Sequence, residues 1–373
     1  MSKIKITRKD KFLNSVQIFI LLDDFINDSF AGRRTKKDGN RISIGTIKNY
    51  EYLKRYLHEY EQSITFDFKI FVESNLTFSE KLAANKYYKK FYTTFSNFLY
   101  KEKGYFDNYV GLVIKLLRSF FNYLEIERKI TVGAYHQSFF VPKEEIPIIA
   151  FSHEQLNFMI YDSEFNLCVE KSGLKTIQDT FVFGCTVALR VSDLLQLTKK
   201  NLVISNNSYY LKVKSQKTST YTSIKLPDYA IEIIKKYENG KNKLLPEMTQ
   251  QWFNKRLKLF AKLIPDDFEM VKIRERKRKQ VIVFKDPQKK INYKLSDHIT
   301  THTMRRTAIT TMLNLGMPEH IVRKISGHAA NSKEFFRYVQ MSQSVIDFEL
   351  DKIFEKIRKI KETEKDKSED MIV

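Results

Sequence analysis

Residues 301–339 read THTMRRTAITTMLNLGMPEHIVRKISGHAANSKEFFRYV and place His302, Arg305, His328 and Tyr338 in one short span. Two imidazoles, a guanidinium and a phenol form a set that can attack a phosphodiester. A guanidinium holds charged oxygens in a planar, bidentate fork. An imidazole gives or takes a proton near neutral pH. A phenol can act as the nucleophile, and the covalent ester it forms conserves the energy of the broken bond.

The local pattern brings these groups together. His302 and Arg305 are three apart in a run whose apolar residues are Met304, Ala308, Met312 and Leu315. That spacing predicts a helix, with both side chains near one edge. Gly316 reads as its stop and Pro318 as a first-turn residue of the next helix, which carries Ile321, Val322 and Ile325. Gly327 allows a left-handed turn that swings His328 back over the preceding elements. Asn331 or Ser332 can cap a last short helix bearing Phe335 and Tyr338.

H-x-x-R at 302–305, G-H at 327–328 and R-Y at 337–338 resemble the catalytic end of the tyrosine recombinases, the phage-integrase family. The resemblance covers 145–360 well and the earlier region more loosely, in the style of Xer-like integrases of mobile elements. It also implies an upstream arginine in a helix and a lysine on a β-hairpin. CTVALRVSDLLQLTKKNL at 185–202 supplies Arg190 as the phosphate ligand and Asp193 as the acidic residue that steadies it. YYLKVKSQKTSTYTSIKLP at 209–227 alternates as a hairpin. Tyr209, Leu211 and Val213 line one arm, Thr222, Ile224 and Leu226 the other, and Lys217 sits at the tip. Tyr338 follows His328 by ten residues, one more than the commonest family spacing.

Composition agrees independently. Sixty-five Lys and Arg against 44 Asp and Glu give a net charge of +21, which favours a polyanionic partner. Cys168 and Cys185 alone make no disulfide framework. Seven histidines and few clustered carboxylates give no metal-ligand constellation. No apolar run approaches membrane-spanning length, and MSKIKITRKDK is not a signal peptide. The expectation is a cytoplasmic protein at the nucleoid, with no membrane and no cofactor.

The fold class expected is mainly α with a small β component. Four apolar stripes, at 13–26, 47–57, 87–99 and 110–124, make residues 1–135 almost wholly helical, similar to the family's helical core-binding (SAM-like) DNA-binding domain. Residues 136–150 read as a linker around Pro142 and Pro147. Residues 151–360 form the mixed α/β catalytic domain, opened by a helix that Ser152 caps, and 361–373 a charged tail. An apolar stripe on 346–360 predicts a helix that docks on a neighbouring protomer.

Residues 271–294 form the densest basic run. Val271 and Ile273, then Val281 and Val283, predict a second hairpin whose tip presents Arg274, Arg276, Lys277, Arg278 and Lys279. Clustered cations release counterions on a duplex, so these residues are read as DNA-backbone contacts against the plainer reading of a solvated hairpin. Arg33 and Arg34, in a polar turn, divide evenly between the two readings.

Each site residue alone has an ordinary explanation: a satisfied histidine, a surface ion pair, a core tyrosine, a solvated lysine. Arg190 is less ordinary, because a buried guanidinium needs an anion. The joint occurrence of six such residues in order favours the resemblance. It implies a site-specific recombinase that cleaves and rejoins DNA through a 3′-phosphotyrosine. Arg190 and Arg305 would clamp the phosphate, Tyr338 attack, His302 take its proton, Lys217 protonate the leaving 5′-oxygen and His328 hydrogen-bond the phosphate. The partners implied are double-stranded DNA with specific sites and three further copies in a tetramer. Accessory DNA-bending proteins are a further class this reading allows. A type IB topoisomerase and a non-catalytic DNA-binding protein stay open as alternatives.

Overall fold

The computed structural model describes residues 7–36, 38–63, 68–215, 220–238, 242–265, 267–329, 332–340, 350–351 and 353–355. Two compact units result. The first comprises Met1–Ile146 with Ile273–Val283, the second Pro147–Lys272 with Phe284–Val373.

Four helices carry the first unit: α1 (Ser15–Phe30), α2 (Ile44–Ser63), α3 (Phe78–Lys101) and α4 (Asp107–Ile126). They coincide with the four apolar stripes. Asn14 caps α1 through a reciprocal pair of hydrogen bonds with Gln17, which satisfies N–H groups the first turn leaves open. Aromatic residues fill the core: Phe25, Tyr60, Tyr88, Phe91, Phe95, Phe120, Phe121 and Tyr123 are essentially fully buried. A two-residue antiparallel pairing, Phe12–Leu13 against Ile70–Phe71, escaped the sequence reading because strands that short show no periodicity.

Residues 136–146, read as linker, pack with the first unit. Gly111 on α4 lies so close to this segment that a Cβ there would meet the Pro142 carbonyl oxygen at 2.0 Å. Lys272–Arg276 and Lys279–Val283 form the expected second hairpin, but its turn is only Lys277 and Arg278, both left-handed at φ 55° and 61°. Although it lies within the sequence of the second unit, Ile273–Val283 folds with the first.

The second unit begins with α5 (His153–Tyr161), capped by Ser152 as expected, then α6 (Ser163–Lys171) and α7 (Lys175–Val187). Helix α7 is its spine, buried continuously from Ile177 to Cys185. A one-turn helix α8 (Val191–Leu194) precedes a three-stranded antiparallel sheet of Leu202–Ser205, Ser208–Lys214 and Tyr221–Lys225. Leu211 faces Ile224 and Val213 faces Thr222, so the predicted hairpin register holds, with a third strand added before it. Then follow α9 (Asp228–Tyr237), α10 (Gln250–Ala261), a short pairing of Glu269–Met270 with Tyr293–Lys294, and α11 (Leu295–His298). Helices α12 (Thr301–Asn314), α13 (Glu319–Ser326) and α14 (Lys333–Gln340) complete it. Gly184 brings α12 against α7: a Cβ there would lie 2.4 Å from the Met304 sulfur.

Pro318 stands at the N-cap of α13, one position before the first turn. The predicted helix at 346–360 lies mostly outside the described residues; among those described, Leu350, Ile353 and Phe354 are exposed. Among the described residues no helix is long and apolar enough to cross a membrane.

Candidate active site

The site forms where α7 stops. Ala188 takes the left-handed conformation, φ 55°, and ends the helix. The chain then runs extended through Arg190, which is the N-cap of α8 at φ −68°, ψ 146°. Arg190 therefore lies in the break between two helices, whereas the resemblance implies a place within one. An extended residue at a break can turn its side chain across the sheet, and Arg190 Nη1 donates to Ser215 Oγ at 2.9 Å, at the end of the central strand. Asp193 is buried on α8.

Arg305 is buried on the face of α12 that meets α7, only 7% exposed. Its Nη1 donates to the Ala188 carbonyl at 3.0 Å, the oxygen that the left-handed turn leaves open. Its Nη2 lies 3.3 Å from His328 Nδ1 and 3.1 Å from Nε2. Near-equal distances to both ring nitrogens set the guanidinium against the imidazole and not along one lone pair. Burial, then the charge of Arg190, lower the Arg305 pKa to about 10, and the charges of Tyr338 and Asp193 oppose that shift. A guanidinium remains protonated at neutral pH even so.

Gly327 caps α13 in the left-handed conformation, φ 62°, and the His328 N–H turns back to the Arg323 carbonyl at 3.0 Å. This is the reversal that the glycine predicts. Burial, then Arg305, Arg190 and Arg323, lower the His328 pKa to about 3, so the ring is neutral. Ser326 Oγ lies 2.8 Å from its Nδ1. On α14, Phe335 is buried in a small cluster with Ala188, Ala308, Ile309, Leu313 and Val322, and Tyr338 packs against that cluster. The Tyr338 ring centre is 6.1 Å from that of His328. Ser332 precedes α14, its Oγ 3.4 Å from the Phe335 nitrogen.

The structure thus gathers Arg190, Arg305, His328 and Tyr338 with Asp193 close by. His302 is exposed on the first turn of α12, a turn whose other residues are buried, three residues from buried Arg305. Lys217 and Asn331 lie outside the described residues. Ala188, Ser215 and Ser326 were missed. The first acts through its backbone, and a serine beside a glycine or a lysine carries no signal by itself.

The residues read as DNA contacts are differently engaged. Arg274 makes a bidentate pair with buried Glu144, Nη2 to Oε1 at 2.6 Å and Nε to Oε2 at 3.0 Å. Buried Asp107 accepts from the N–H groups of Lys277 and Arg278 at 2.8 and 2.9 Å. Arg276 donates to the Gly104 carbonyl at 2.9 Å, Lys277 Nζ to Asn97 Oδ1 at 2.5 Å, and Arg278 lies over the Phe140 ring. Lys279 is exposed. Arg33 pairs with Asp28, and Arg34 pairs with Glu127 while covering the Phe25 ring at 4.1 Å. Buried carboxylates explain the difference: such groups require charged or N–H partners, and the hairpin supplies them.

An arginine pair, a histidine and a tyrosine thus meet beside a three-stranded sheet in the second unit. Residues 171–344 match the phage integrase family. The fold is similar to that of the XerH site-specific recombinase bound to palindromic difH in a post-cleavage complex, with TM-score 0.57, 13% identity, and coverage of 91% of this chain and 96% of that one. It is similar to a lambda integrase dimer bound to a COC′ core site, with TM-score 0.57, 13% identity, and coverage of 90% and 82%. It is also similar to XerH in a pre-cleavage difH complex, with TM-score 0.54, 14% identity, and coverage of 87% and 93%. A comparison with curated proteins gave no match.

Proposed function

We propose that this protein is a site-specific DNA recombinase that breaks and rejoins double-stranded DNA through a 3′-phosphotyrosine at Tyr338. The observation that carries the reading is the meeting of Arg190, Arg305, His328 and Tyr338 on four separate elements of one unit. Arg190 and Arg305 hold the non-bridging oxygens of the scissile phosphate and stabilise the charge that grows there in the transition state. Tyr338 attacks phosphorus, and the bond to the 5′-oxygen breaks. A phenol titrates near ~10, so its proton needs an acceptor. His302 is assigned that role, His328 a hydrogen bond to the phosphate, and Lys217 the proton for the leaving 5′-oxygen, with Asp193 steadying the arginines. Reversal by the 5′-hydroxyl of a second duplex exchanges strands.

The XerH and lambda integrase structures are DNA complexes, and one is a lambda integrase tetramer on a Holliday junction. They support specific DNA sites as substrate and a homotetramer as the working assembly, in the integration, excision or inversion of DNA elements at the nucleoid. Accessory DNA-bending proteins belong to the same reading. Exposed Lys279 and Arg33 remain assigned to the DNA backbone, with the other hairpin cations contributing charge at shorter range.

The test is a set of nicked duplexes bearing candidate sites, from which a broken strand diffuses away after cleavage. The wild-type chain should become covalently attached to DNA, and Tyr338→Phe should not. Retarded DNA without an adduct on any duplex would replace this reading with that of a binding protein.

A further inference from the structure

Arg190 and Ser215 stand on separate elements, the break before α8 and the residue just past the central strand, and their side chains meet: Arg190 Nη1 donates to Ser215 Oγ at 2.9 Å. Ser215 is 7% exposed. Its own N–H donates to the Thr220 carbonyl at 2.9 Å, one pair beyond the Lys214–Tyr221 register, so the main chain fixes where Oγ stands. A guanidinium only donates and a hydroxyl oxygen accepts, so the direction of this bond is settled whichever way the Ser215 proton points.

The surroundings of Arg190 give this bond its importance. Arg305 is buried, whereas Arg190 is only half-buried, so its long side chain has water within reach. Its charge acts on both neighbours in the site, lowering the pKa of Arg305 and of His328. Two guanidinium groups that close repel each other, and the repulsion drives the less buried one outward. Buried Asp193 answers part of that charge, but Coulomb attraction has no preferred direction, and a hydrogen bond has one. Ser215 Oγ takes one of the five guanidinium N–H donors and leaves the others for a ligand. A carboxylate in its place would hold Arg190 as firmly but would also answer its charge. A neutral oxygen holds the fork and leaves the charge for a phosphate.

We propose that Ser215 is a positioning residue for the reaction: its Oγ holds the Arg190 guanidinium in the site, near that of Arg305, ready for the scissile phosphate. Ser215 lies two residues before Lys217 in the chain, so the strand end that holds Arg190 leads directly into the segment bearing that lysine. The inference rests on the recombinase reading for its purpose but not for its spectroscopic test. Loss of the hydroxyl frees the fork to rotate and to turn toward water.

Nitrogen-15 spectra of the full chain labelled at arginine, with Arg190 assigned by its disappearance in Arg190→Lys, read the tether in the absence of DNA. In the wild type, slow rotation about the Cζ–Nε bond should give separate Nη signals. Ser215→Ala should merge them, and Ser215→Thr, which keeps the hydroxyl, should keep them apart. On a nicked duplex Ser215→Ala should cleave about tenfold more slowly at saturating DNA, within the roughly hundredfold that a small misplacement costs, with the half-saturating concentration unchanged and Ser215→Thr restoring the rate. Added to Arg190→Lys, Ser215→Ala should slow cleavage little further, whereas a purely structural role would carry over in full. Merged Nη signals in the wild type, unaltered signals in Ser215→Ala, or full additivity with Arg190→Lys would overturn the proposal. Failure of the wild type to form any adduct would instead overturn the recombinase reading and leave the spectroscopic result standing.

Discussion

Two groups of cations in this molecule resemble each other in sequence and differ in surroundings. In the first unit, the Arg274 guanidinium pairs with buried Glu144, and backbone N–H groups of the same hairpin answer buried Asp107. In the second, Arg190 and Arg305 hydrogen-bond to neutral groups: a serine hydroxyl, a main-chain carbonyl and an imidazole. Carboxylate-paired cations have their charge answered and hold a structure together. Cations that hydrogen-bond to neutral groups keep their donors for an anion that arrives later; burial, then the charge of Arg190, lowers the Arg305 pKa, and nearby Asp193 offsets only part of it. Charge density in a sequence does not separate the two cases; the partner's charge does.

The widest separation should appear in catalysis. Arg190→Ala or Arg305→Ala should slow formation of the covalent adduct by about a thousandfold or more, the scale of losing a guanidinium or oxyanion donor at a phosphoryl centre. Retardation of the same duplex should persist. Arg274→Ala, assayed where the protein stays folded, should leave the cleavage rate near that of the parent. A large loss there would erase the contrast between the two groups.

Stability should show the converse. Arg274→Ala strands a buried carboxylate and should lower unfolding stability by about 3 kcal/mol, read from a denaturant titration. The reading sharpens with acid. Burial pushes the Glu144 carboxyl up, but hydrogen bonds from Arg274 and the Glu275 N–H outweigh this and hold it below its usual 4.5. Its native form therefore binds a proton less readily than the unfolded chain. The associated stability is complete above the ordinary carboxylate range and is lost as pH falls through it, so Arg274→Ala should flatten this part of the acid limb.

His328 gives the second unit a different acid dependence. Its pKa falls from 6.5 to about 3, so between these values the unfolded chain takes up a proton that the native chain refuses. Stability contributed by the neutral ring is full above about 6.5 and declines as pH drops toward 3. Replacement by Gln should remove that slope near pH 5 to 6, where Glu144 does not yet titrate. An unchanged slope would mean that the histidine is not held neutral by burial and its arginine neighbours.

Much of this was readable in advance, for identifiable reasons. Long helices with wide apolar stripes announce themselves, and α1 to α4 fall where the stripes lie. Gly327 was legible because a glycine before a functional histidine implies a left-handed turn. The hairpin's attachment was not legible. Its partners Asp107 and Glu144 are more than a hundred residues away, and nothing local marks a carboxylate as buried. The break at Arg190 was hidden more thoroughly, since Val187, Ala188 and Leu189 look like the continuation of an apolar helix.

That break yields the smallest expected effect and the finest test of how the arginines are held. Ala188 is fully buried with φ at 55°, a conformation that disfavours a Cβ by about 1–2 kcal/mol. Ala188→Gly relieves this, but it also removes a buried methyl, worth about 1 kcal/mol, and loosens the unfolded chain by a further ~0.4–1 kcal/mol. The opposing contributions nearly cancel, so the net stability change should stay under about 1 kcal/mol. The carbonyl that accepts from Arg305 depends on the backbone turn and not on the methyl, so adduct formation should be almost unaffected. Ala188→Val adds branching where the left-handed backbone and the packed cluster both resist it, and should lose about 2 kcal/mol or more along with much of the cleavage rate. If Gly and Val variants cleaved equally well, the Ala188 carbonyl would not be what orients Arg305.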